Sequence, residues 1–181
     1  MVSREYADQH VPGGTAAVQR NVDTGTAAFF DQIFLGSTMY DVMPVIAFSA
    51  AAAKLVDLPH MEFVKRISVW QAEHDLQGVY KLFVRALPPE AVALRLPKLA
   101  LKYFDFGEAT TKMLGERCCL AELRGIPMEI ESWVQACIYG YVPVALGLAG
   151  AKSVRLRRLE LDPSSPAEPG TGVIRIELRW T

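Results

Sequence analysis

From Ser132 to Ala151 the chain runs twenty residues without a charge, flanked by Glu131 and Lys152, and this stretch constrains the fold more than any other. A run of that length is long enough to span a bilayer, where about 20 apolar residues suffice. It carries Gln135, Tyr139, Tyr141, Pro143 and three glycines, however, and passes directly into KSVRLRRLELD with no aromatic belt at its far end. A helix apolar on nearly all sides belongs in a protein interior. The run therefore predicts a central helix, beginning near Met128, on which the other elements pack. Ala136, Gly140, Val144 and Gly147 share one face of it, a line of small residues that lets a sheet or helix approach closely. Trp133, Cys137 and Tyr141, four apart, form the adjoining ridge. Pro143 lacks a backbone donor, so a kink is expected over 139–143.

The segments on either side of this helix have a period of two. Glu108 to Leu114, a Gly115-Glu116 turn and Arg117 to Arg124 read as a hairpin with Cys119, Ala121 and Leu123 on one face. After the helix, Ser153 to Leu161 reads as a strand whose phase slips at Arg157-Arg158, where a bulge is expected. In the last strand Ile174, Ile176, Leu178 and Trp180 alternate with Arg175, Glu177 and Arg179. The connection DPSSPAEPGTG is long and rich in Pro, Gly and Ser, which predicts an exposed, mobile loop.

Before residue 108 the spacing is helical. Residues 27–35 read as an apolar turn or short helix ending at Gly36, with Ser37 and Thr38 placed to cap the next element. Pro44 suits the first turn of a helix within residues 39–58. From Pro59 to Leu87, Phe63, Ile67, Trp70 and His74 mark one face and Leu76, Val79, Tyr80, Phe83 and Leu87 another, with a bend or break at Asp75 to Gly78. Pro88 and Pro89 open a further segment that Pro97 divides and Gly107 ends. Residues 1–27 are polar and read as an N-terminal arm or accessory helix, with a helical hint at Thr15 to Arg20. Residues 28–181 make a single domain. The fold class is α+β: N-terminal helices, a hairpin, the long helix and a second hairpin, giving an antiparallel sheet of about four strands packed on helices.

Lys and Arg number 19 against 20 Asp and Glu, a net charge of -1, so no global field recruits nucleic acid or an anionic membrane. The N-terminus lacks the apolar core of a secretory signal, which makes the cytoplasm the expected location. Three cysteines, two of them adjacent, fit a reducing compartment better than a disulfide framework. Catalytic signatures are missing: there is no nucleophile elbow, no phosphate-cradling glycine loop and no CxxC spacing, and His10, His60 and His74 are scattered. Neither a catalytic nor a metal site is expected. Cys119 reads as core and Cys118 as the more accessible thiol. His74, four residues after Trp70 on an apolar face, is either a half-buried histidine with a hydrogen-bond partner or, functionally, an axial haem ligand or a polar anchor in a pocket. Arg155, Arg157 and Arg158 read as a solvated strand face.

Three strings, LGSTMYDVMP, the passage WVQACIYGYVPVALGLAGAKSVRLRRLEL and the ending GVIRIELRW, resemble a myxobacterial paralogous family of uncharacterised proteins. That family is similar to the group that includes the vinyl-4-reductase-type domain, the haem nitric-oxide-binding domains and the Golgi-transport TRAPP subunits. The resemblance covers about residues 35 to 181. It implies a helical half enclosing an apolar cavity against a four-stranded sheet, used for ligand sensing or assembly. It raises haem as a candidate cofactor, yet the chain lacks the Tyr-x-Ser-x-Arg motif of the haem-binding branch. The terminal strand has no cysteine, and the acylated cysteine of the TRAPP subunits has no counterpart.

The expected function is thus non-enzymatic binding or sensing of a small apolar molecule by a homodimer, with a regulatory role. Trp70, His74, Tyr103, Trp133, Cys137 and Tyr141 are the expected ligand-binding residues, the rings as walls and His74 as anchor. The alternative is a TRAPP-like interaction scaffold, dimeric with a filled core.

Overall fold

The computed structural model describes residues 2–35, 38–96, 103–160 and 167–181, with the backbone alone at 79 and 80. Strands β1 (Glu108–Gly115), β2 (Cys118–Pro127), β3 (Val154–Arg158) and β4 (Thr171–Trp180) form an antiparallel sheet in the order β1-β2-β4-β3. The strand with the cleanest alternation, β4, has a neighbour on each side, and its Ile174, Ile176 and Leu178 are fully buried. Opposite them in register stand Leu123, Ala121 and Cys119 of β2, on the face that the alternation assigns to the core. The reverse face is laced with charge. Glu122 lies 2.6 Å from Arg124 and 3.1 Å from Arg175, and Glu177 sits 3.2 Å from Arg157 and 2.9 Å from Arg179.

The bulge expected at Arg157-Arg158 is not there: β3 pairs with β4 from Val154 to Arg158 without a shift of register. Arg158 stands opposite Ile176, in the core-facing phase, at the sheet edge. Its guanidinium leaves the sheet to meet Glu131 and Gln135 at the start of the long helix. A partner carboxylate thus accommodates the out-of-phase charge, and Arg158 is not part of a merely solvated face. The register shift in this part of the sheet occurs in β2, between Arg124 and Ile126, where Gly125 takes a φ of 70°.

The helices preceding the sheet are α1 (Val2–His10), α2 (Gly14–Gln19), α3 (Thr24–Asp31), α4 (Met43–Leu55), α5 (His60–Asp75), α6 (Val79–Arg85) and α7 (Pro89–Ala93). The long helix is α8 (Glu131–Leu148). It follows a 3-10 turn at Met128–Ile130 and so starts three residues later than the apolar run implied, and it continues through Pro143. Asp23 caps α3 by accepting from the Thr26 amide at 2.9 Å. Pro44 occupies the first turn of α4. The change of face after Asp75 is a break between α5 and α6, at which Gly78 has a φ of 60°. Residues 1–27 contain α1, α2 and the start of α3, whose Ala7 and Val18 are fully buried. The Gly36 stop, Ser37, the division at Pro97 and residues 161–166 of the last loop lie outside the described residues.

Two apolar clusters result. One joins the inner sheet face to α8 and α7; the other joins α1 to α5 around Phe30, Phe48 and Phe63. They meet where α5 and α8 cross. There Gly140 fits against the α5 backbone: a Cβ on it would collide with the Lys65 carbonyl oxygen and stand 2.7 Å from the Ser68 Cβ. Gly147, two turns further on, has open space around it.

Two substitutions separate contact from helix propensity. Alanine favours a helix over glycine by about 0.5–1 kcal/mol, so Gly147→Ala is expected to raise stability by up to that amount. Gly140→Ala is expected to lower it by about 1–3 kcal/mol, as overpacking does. Urea melts of both variants check this, and equal midpoints would show that the α5–α8 contact is not tight.

A candidate binding cavity

A cavity of about 890 Å³ lies between the inner sheet face and the helices. Its sheet wall is made of inward residues of β1, β2 and β4, among them Ala109, Ala121, Leu123 and Leu178. Alanine at two of these positions leaves room that a larger side chain would fill. From α8 come Trp133, Val134, Cys137, Ile138, Tyr141 and Val142, the residues that one helical stripe presents to a neighbour. Ser68 and Gln71 of α5 contribute from the crossing, residues 38–45 form another side, and residues 103–106 complete the wall. Met39, Asp41, Met43, Tyr103, Asp105 and Glu129 are exposed and mark its open side.

Of the six residues expected from the sequence, Tyr103, Trp133, Cys137 and Tyr141 line this cavity. Trp70 and His74 are not among its lining residues. They lie on the side of α5 that faces the N-terminal helices, where Trp70 meets Tyr6 edge-on at 5.9 Å and the His74 ring stacks 3.6 Å from Trp70. The His74 Nδ1 is 2.7 Å from the Trp70 carbonyl oxygen. The sequence marks α5 as two-sided, and only the packing assigns Ser68 and Gln71, not Trp70 and His74, to the side turned toward α8. Residues 38–45, Gln71, Phe104, Phe106 and Thr111 were missed. The apolar MYDVM before Pro44 carried a signal, because Met39 and Met43 are half exposed at the mouth.

The polar groups of the wall are few. The Tyr103 hydroxyl donates to the Asp75 carboxylate, and the Tyr141 hydroxyl interacts with that of Tyr103, the rings standing 6.2 Å apart. Burial, reinforced by the bond to Asp75, raises the Tyr103 phenol far above its ordinary value; burial also raises Tyr141. Both therefore remain protonated throughout the range in which proteins work. Burial pushes the Cys137 thiol up to about 12, although the nearby Ser68 hydroxyl acts the other way. The indole nitrogen of Trp133 and the hydroxyl of Thr111 are buried with no hydrogen-bond partner among the described residues. These residues also offer no group of three His, Cys, Asp or Glu able to hold a metal ion, and no helix long and apolar enough to cross a membrane.

No known family model matches the sequence, and no curated protein does. Solved structures do. Across 99% of its length the chain matches 90% of an oxygen-binding H-NOX domain related to soluble guanylate cyclases, with a TM-score of 0.72 and 8% identity. The chain has an H-NOX-like fold. It is similar in the same way to a mutant form of the T. tengcongensis H-NOX, with a TM-score of 0.71 and 8% identity over 99% of this chain and 93% of that one. An S. oneidensis H-NOX protein matches 92% of this chain over 84% of its own, with a TM-score of 0.65 and 7% identity. At such identities the likeness concerns the fold alone. Among the resemblances drawn from the sequence, that to the haem nitric-oxide-binding domains has this structural counterpart.

The raised Cys137 thiol leads to a chemical expectation. At pH 8 its thiolate fraction is roughly two to three orders of magnitude below that of a free cysteine, so iodoacetamide should modify Cys137 on the order of a hundredfold or more slower than a free thiol. Peptide-resolved mass spectrometry of the native protein measures this. Alkylation of Cys137 at the free-thiol rate would mean that its sulfur is neither buried nor held neutral.

Proposed function

We propose that this chain is a non-enzymatic domain that binds a small, largely apolar molecule in the cavity, for sensing or regulation. The observation that carries the reading is the cavity itself. At about 890 Å³ it lies within the roughly 300–1,000 Å³ range of small-molecule sites, and its wall is mainly apolar and aromatic with a few polar groups, as such sites are. Tyr103, Trp133, Cys137 and Tyr141 are the proposed contact residues. Leaving a buried polar group unpaired costs about 1–3 kcal/mol, so Trp133 Nε1 and Thr111 Oγ1 are groups that an occupant can satisfy. The H-NOX-like fold supports ligand binding as the class of function.

Haem, the subject of two of the matched structures, does not fit the residues present. Among the described lining residues there is no histidine to bind iron and no Lys or Arg to meet propionates; the charged groups are Asp41, Asp105 and Glu129. The Tyr103 hydroxyl is engaged by Asp75, and His74 stacks on Trp70 outside the wall. Catalysis gains no support from the same set. Cys137 is held as a thiol, and the Ser68 hydroxyl donates to the Val64 carbonyl oxygen at 2.9 Å with no base beside it in the wall. The scaffold reading calls for a filled core, against which the cavity speaks. Exposed Leu82 and Phe83 on α6 are apolar surface that a homodimer could cover.

Ala121, which faces the cavity from the sheet, gives the test. N-phenyl-1-naphthylamine, a neutral probe whose fluorescence rises in apolar surroundings, is expected to bind the purified protein at one site. Ala121→Phe should weaken that binding at least tenfold while the far-UV circular dichroism stays unchanged. Absence of saturable binding, or equal binding by a folded variant, would remove the ligand-binding reading.

A further inference from the structure

The polar groups of the cavity narrow the chemistry of what it takes, an inference that rests on the ligand-binding reading above. Among the described lining residues the charged side chains are three carboxylates, Asp41, Asp105 and Glu129, and none is basic. All three are exposed at the open side, so together they give the mouth a negative potential without forming a buried charge. A second feature stands beside them: the Tyr103 hydroxyl donates to the Asp75 carboxylate, which adds a further negative charge behind this part of the wall. A third is the set of rings from Tyr40, Tyr103, Phe104, Trp133 and Tyr141 that share the space. Aromatic faces carry negative charge density and attract cations.

Mouth carboxylates, the Asp75 carboxylate behind Tyr103 and aromatic faces all favour the same sign. We infer that the cavity takes an amphiphilic amine, with its ammonium group against Tyr103 and the mouth carboxylates and its apolar body along the Trp133–Tyr141 ridge. A carboxylate of equal length meets three like charges and, in the described wall, no cation. Lys98 and Lys102 fall between the lining residues Leu96 and Tyr103 in sequence and lie outside the described residues; the anionic arm of the test reads their effect directly.

The experiment uses the full chain and three ligands of one chain length: decylammonium, decanol and decanoate. Each competes with N-phenyl-1-naphthylamine at pH 7.5, below its micelle concentration. All three are expected to displace the probe, decylammonium at least tenfold more tightly than decanoate. In the triple variant Asp41→Asn, Asp105→Asn, Glu129→Gln the ratio of decylammonium to decanol affinity should fall at least fivefold, and 0.5 M NaCl should reduce the wild-type ratio in the same direction. Decanoate binding as tightly as decylammonium would overturn the amine inference while leaving the ligand-binding reading standing. Probe and ligands all failing to bind would overturn both.

Discussion

The rest of the structure depends on the contact between Gly140 and the backbone of α5. At that point α8 has no side chain, and the carbonyl of Lys65 and the Cβ of Ser68 occupy the space a side chain would need. Because the helices are this close, their positions along each other are fixed within narrow limits. The residues one turn to either side are fixed with them. Ala136, one turn earlier, is buried, while Cys137 and Tyr141 line the cavity. A larger residue at 140 would push the helix away from α5 and toward the sheet, into the space the cavity now occupies.

The sheet sets the other boundary. β4, buried along one face and paired on both sides, forms its rigid centre, whereas the neighbouring inward positions on β1 and β2 include alanines. Large side chains at Ile174, Ile176 and Leu178 fill the region beneath α8; the smaller ones at Ala109 and Ala121 do not. The cavity is thus a product of where volume is missing on one side of a well-filled sheet. Arg158 ties the far edge to the start of α8 through Glu131 and Gln135, so that helix is held at its beginning by charge and near its middle by close packing.

Much of this was legible in the residues. The uncharged run located α8, the alternation after residue 107 located the strands and their inward faces, and of the small-residue line Gly140 marks the close approach to α5 whereas Gly147 has open space around it. The Trp133, Cys137, Tyr141 ridge faces the cavity because four-residue spacing keeps side chains on one stripe. Other features were not legible. An arginine in the core-facing phase looks like a bulge until its carboxylate partner, 27 positions earlier, is seen beside it. The two sides of α5 are both partly apolar, so the pattern could not say that Trp70 and His74 turn to the N-terminal helices. Residues 38–45 and 103–106 have little periodicity, and their place in the wall follows from tertiary packing.

The existence of two apolar clusters has a mechanical side. The N-terminal helices share one cluster and the sheet shares the other, and between them the chain offers mainly the α5–α8 crossing and the hollow next to it. Val45, Ser68 and Gln71 reach that hollow from the first group; Ile130, Val134 and Leu178 reach it from the second. A molecule in the hollow would touch both groups at once, so its size and shape would bear on how closely the helical half can pack against the sheet.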